Sequence, residues 1–170
     1  MLFKNTHIRD ERIIREAYKY IAFRQPFFVF IMCIFIFIVA FETGLLLTGR
    51  SDDPTVPVLA AFCMGYTYYK YRKTVKTTVK RNREEADGSD ITYTTSVTKK
   101  NITAVSSTGE KYKLEYSDIK NCGIMKDVII VLSKNNTSYI FTTDGFEIGT
   151  AKGFIQFLKD RGVKIYGKLE

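Results

Sequence analysis

The sequence predicts an α+β chain in which a two-helix transmembrane hairpin precedes a domain of about six antiparallel strands closed by one helix. Three observations carry this. Residues 25–41 and 54–69 contain no charged side chain, the net charge of +8 is concentrated beside those stretches, and from Ile91 onward the apolar period changes to two. A length of 170 residues leaves room for one or two small domains and no more.

The first element, residues 1–25, reads as an amphipathic helix. Ile8, Ile13, Ile14, Ala17, Tyr18 and Ile21 recur at steps of three and four, with Arg9, Arg12, Arg15, Glu16 and Lys19 opposite. Its expected place is the cytoplasmic face of the bilayer or a groove on the C-terminal domain.

The hairpin is expected over residues 26–69, with spans at 26–47 and 54–69. The first contains fifteen Phe, Ile, Leu or Val residues in twenty-two, long enough at 1.5 Å per residue for a hydrocarbon core of about 30 Å. A mixed-charge preface and the lack of a small-x-small cleavage pattern favour a retained span over a signal peptide. The second covers only about 24 Å and needs Lys70, Arg72 and Lys73 to snorkel, with Tyr66, Tyr68, Tyr69 and Tyr71 at the interface.

Charge sets the expected topology. Lys70, Arg72, Lys73, Lys76, Lys80, Arg81 and Arg83 supply seven positive charges with no acid among them, whereas the connecting loop holds Arg50 against Asp52 and Asp53. The positive-inside rule then makes this a two-pass cell-membrane protein with both termini cytoplasmic, and explains the basic balance without nucleic acid. The sequons at Asn101, Asn135 and Asn136 would face no glycosylation machinery.

Within the hairpin, Ala40 with Gly44 and Ala61 with Gly65 sit at the spacing that lets helices approach closely. Glu42, ionisable inside a span, is a candidate functional residue for an ion or proton path, or simply reaches the interface. In the basic linker, residues 70–89, Lys70, Arg72, Lys73 and Lys76 are candidates for lipid headgroups. Residues 71–85 should continue as helix until Ala86-Asp87-Gly88-Ser89 breaks it.

The last domain, residues 90–170, is expected to be cytoplasmic. Ile91, Tyr93, Thr95 and Val97 alternate, then 102–106, and after the Ser107-Thr108-Gly109-Glu110 turn the run 111–116. Strands follow over 119–125, 128–132 and 138–142, joined at Lys126-Asp127 and at Lys134-Asn135-Asn136-Thr137. Thr150 should cap a helix with Ala151, Phe154, Ile155, Phe157 and Leu158 on its apolar face and Gly162 at its end. That helix must lie across the sheet to bury its phenylalanines.

Catalytic signatures are missing: no Walker loop, dinucleotide fingerprint, GxSxG elbow or HExxH helix occurs. His7 is the sole histidine. Asp118, Asp127, Asp144 and Glu147 occupy strand ends and turns that favour acids anyway. Cys33, Cys63 and Cys122 lack metal-ligand spacing and read as reduced apolar filler, so neither metal nor cofactor is expected.

Two spans, a basic linker, six strands with Tyr116-Ser117-Asp118-Ile119 at the third-to-fourth junction, the Lys126-Asp127 turn and a closing helix resemble the bacterial YcxB-like membrane proteins. The resemblance covers residues 91–165 best; many members carry Pro where this chain has Thr142 or Thr143. It implies a C-terminal domain similar to pleckstrin-homology folds and transfers no catalytic residue. The expected function is a membrane-anchored interaction module, not an enzyme, that binds a protein partner, itself or lipid headgroups at the inner leaflet. The alternative is a small subunit of a transport or channel assembly using Glu42. Expected partners are the bilayer and a protein partner or second copy.

Overall fold

The computed structural model describes residues 1–23, 26–49 and 55–169. Its elements are β1 (Phe3–Ile8), α1 (Glu11–Phe23), α2 (Pro26–Leu47), α3 (Thr55–Glu85), β2 (Thr92–Val97), β3 (Asn101–Ser106), β4 (Lys111–Glu115), a 3₁₀ turn (Tyr116–Asp118), β5 (Ile119–Met125), β6 (Val128–Ser133), β7 (Ser138–Thr142), β8 (Phe146–Ile148), α4 (Ala151–Asp160) and β9 (Ile165–Tyr166). They form two compact units. Residues 1–20 and 78–170 make a β unit, and 21–77 a helical unit.

The β unit has two sheets, ordered β4-β3-β2-β1-β8 and β7-β6-β5-β9. Among the described residues, all pairings are antiparallel except β5 with β9. β1 is not the amphipathic helix expected for its residues: it pairs with β2 from Phe3↔Val97 to Ile8↔Thr92. The helical unit is therefore inserted between two neighbouring strands of one sheet. The expected single helix over 1–25 is corrected to a strand and a shorter helix, and β8 and β9 add two more strands to the six expected.

α1 starts at Asp10, whose side chain accepts a hydrogen bond from the Ile13 amide at 2.8 Å. Ile13, Ala17 and Tyr20, one stripe at steps of four and three, pack with Val128, Ile130 and Ile140. Of the two places expected for this helix, it occupies the one on the sheet domain. β6 is buried along its whole length, because Ile129 and Val131 face the main core on its other side. A continuous apolar run is what a strand covered on both faces requires.

The main core lies between the sheets and α4. Thr150 caps α4 by accepting from the Gly153 amide at 3.1 Å, Phe154, Ile155 and Leu158 are buried, and Gly162, at φ +76°, ends it. Phe3 brings β1 into this core, its ring 5.6 Å from those of both Phe154 and Phe157. The α+β class thus holds.

The membrane hairpin does not. Among the described residues, no helix is long and apolar enough to cross a membrane. In α3 the charge-free part is short and diluted by Thr, Gly and Tyr before Lys70. In α2 the charge-free run that begins at Pro26 is interrupted by Glu42 before the helix ends at Leu47. The transmembrane assignment of 26–47 and 54–69, the two-pass cell-membrane location and the cytoplasmic placement of both termini are corrected accordingly. The expected loop with Arg50, Asp52 and Asp53, and the start of the second segment at Pro54, lie outside the described residues. α3 runs on through 71–85 and closes where the break was expected: the Gly88 amide donates to the Arg83 carbonyl at 2.7 Å, with Asp87 and Gly88 at positive φ.

Candidate functional site

Where β1 to β4 face β7, the β unit encloses a cleft of about 270 Å³. Register explains its position. His7 pairs with Tyr93 across β1 and β2, Thr95 with Ala104 across β2 and β3, and Ala104 with Tyr112 across β3 and β4. Small side chains at Thr95 and Ala104 leave a hollow in the sheet, flanked by Tyr93 and Tyr112 and faced by Tyr139 and the Asn136–Thr137 turn. Asn136, at φ +60°, folds that turn over the cleft.

Two groups in this wall are unusual. His7 is 7% exposed, and burial, reinforced by the positive charge of Arg9 and opposed by Asp10 and Asp144, pushes its pKa down to about 4. It is neutral at pH 7. Its Nδ1 and the Nε of Arg9 are buried with no hydrogen-bond partner. The Arg9 guanidinium lies 5.5 Å from the centre of the Tyr93 ring and donates a long 3.4 Å hydrogen bond to the Tyr93 hydroxyl. The His7 ring stacks on Tyr93 with centroids 6.0 Å apart. A partly enclosed cation and flat aromatic walls can hold a small ligand.

Sequence reasoning missed this cleft. Its lining comes from five strands far apart in the chain, and His7 and Arg9 were expected on a helix. The only local signal is the polar alternation Asn5, His7, Arg9.

The site residues expected from the sequence lie elsewhere, on the helical unit. Lys70, Arg72, Lys73 and Lys76 are exposed on α3. Lys70 sits over the ring of Tyr66 at 5.6 Å and Arg72 over Tyr68 at 5.9 Å, the one-turn spacing of cation and aromatic. Arg72, Lys73 and Lys76 line a shallow surface cleft with Tyr69 and Thr77. Ala40 and Ala61 are exposed, and a Cβ added at Gly44 or Gly65 would meet nothing within 4 Å, so among the described residues no close helix approach occurs at these glycines. Glu42 is half-buried.

Two of the expected turn acids, Asp127 and Glu147, have cationic partners. Asp127 accepts from Arg12, which holds its carboxyl below the usual range, and Glu147 pairs with Lys4 at 2.6 Å. The buried Cys122 thiol is pushed up to about 12, whereas Cys33 and Cys63 are exposed rather than buried as filler. Among the described residues, no three His, Cys, Asp or Glu side chains gather as a ligand set.

No protein family, curated protein or solved structure matches this chain.

Proposed function

We propose that this chain is a non-catalytic interaction module whose helical unit associates with that of a second copy, while a β unit of YcxB-like, pleckstrin-homology-like kind carries recognition. The observation behind this reading is the apolar surface of the helical unit. Phe37 and Phe62 are 71% and 72% exposed. On α2, exposed Phe30, Ile34, Phe37 and Phe41 follow at steps of four, three and four. On α3, Leu59, Phe62, Tyr66 and Tyr69 follow at three, four and three. Alternating steps of this kind are the spacing at which one helix's side chains seat between those of another.

Large apolar side chains exposed at such density mark an interaction surface. A second copy presents the same spacing, as a two-fold contact requires. The β-unit assignment is supported by strand runs β4-β3-β2-β1 and β7-β6-β5 with α4 after them.

Sedimentation equilibrium of the full chain tests the reading. Twice the chain mass is expected, falling to a monomer when Phe37→Asp and Phe62→Asp are combined. A wild-type chain monomeric at every concentration would refute it.

A further inference from the structure

We infer that the cleft between the two sheets binds a small planar organic monoanion, an aromatic carboxylate, with its carboxylate on Arg9 and its ring among Tyr93, Tyr112 and Tyr139. This goes beyond the association of the helical unit and does not depend on it.

Charge selects the anion. Among the described residues, Arg9 is the single formal cation in the lining, and its hydrogen bond and ring contact both go to Tyr93. The acids nearby are engaged or outside: Glu110 accepts from the Tyr112 hydroxyl, and Asp10 and Asp144, which act on His7, do not line the cleft. The Arg9 side chain lines the cleft and is only half-buried, so its guanidinium is within reach of a ligand there. A forked guanidinium matches the two oxygens of a carboxylate.

One cation balances one negative charge, which disfavours a phosphate dianion. Shape selects the ring: the stacked His7 and Tyr93 pair and the Tyr112 and Tyr139 side chains are flat walls, and Thr95 and Ala104 form a low floor. The cleft volume, about 270 Å³, suits a ligand at the small end of the usual range.

Isothermal titration of the full chain with benzoate tests this, using cyclohexanecarboxylate and inorganic phosphate for comparison. Benzoate should bind one to one, cyclohexanecarboxylate about tenfold more weakly or worse, and phosphate not at all. Arg9→Gln should weaken benzoate about tenfold or more. Ala104→Leu fills the floor while leaving Arg9 in place, so it should abolish binding in a chain whose thermal unfolding remains cooperative. The proposal is overturned by no benzoate binding to the wild type, by equal binding of cyclohexanecarboxylate or of phosphate, or by benzoate affinity unchanged in a folded Ala104→Leu.

Discussion

Asn5 ties the two sheets together with polar atoms. Fully buried on β1, it donates from its side-chain nitrogen to the Thr142 carbonyl at 2.8 Å and accepts from the Thr142 amide at 3.3 Å, as a neighbouring strand would. Asn5→Ala takes the acceptor from the Thr142 amide and leaves the Thr142 carbonyl only the Gly145 amide, at 3.2 Å. A loss of about 1–3 kcal/mol is expected, read as a lower denaturant midpoint with unchanged slope. Two residues on, His7 makes stability depend on pH. Its folded pKa of about 4 lies below the ordinary 6.5, so as pH falls through that window the unfolded chain takes up a proton that the folded cleft refuses. Up to about 3 kcal/mol is lost between those values. His7→Gln should flatten that limb of the stability profile; a limb of unchanged depth would show that another group causes it. The carboxyls of Asp127 and Glu147 are both held low by cationic partners, so any stability they contribute is lost as pH falls from the ordinary carboxylate range.

At the scale of elements, the contact of α1 with β5 depends on the absence of a side chain at Gly123. Tyr20 lies against Gly123, where any Cβ would collide with its ring, and its hydroxyl donates to Asn121 at 2.7 Å. Gly123→Ala must displace α1 or the ring, at about 1–3 kcal/mol, and hydrogen exchange should quicken in α1 before β6. Equal protection of α1 in both proteins would disprove this coupling.

The same elements show what sequence pattern reveals. Strands β2 to β7 and α4 were legible because one face of each is apolar, or, for β6, both, and because Thr150 and Gly162 are ordinary helix punctuation. β1 was not, since two of its inward residues, Asn5 and His7, are polar while Ile8 points outward at 57% exposure, reversing the usual alternation. β8 and β9, three and two residues long, are too short to show a period. The cleft was illegible for a related reason: its defining feature is small residues at Thr95 and Ala104, visible only once strands are in register.

At the scale of the molecule, the chain is a β unit closed by its own N-terminal strand, with a helical unit inserted between β1 and β2. That topology makes the β unit depend on residues 1–20, and it leaves the helical unit with more apolar surface than its own fold covers. Cys33 and Cys63, both exposed, lie beside these apolar rows, Cys33 one turn from Phe37 and Cys63 next to Phe62 and one turn from Tyr66. They make the second copy directly observable. Treatment of the dilute full chain with a short bis-maleimide should give a covalent dimer on a denaturing gel, lost in the Cys33→Ser, Cys63→Ser double variant and suppressed by Phe37→Asp with Phe62→Asp. A chain that reacts fully at both thiols yet stays monomeric would contradict association through the helical unit.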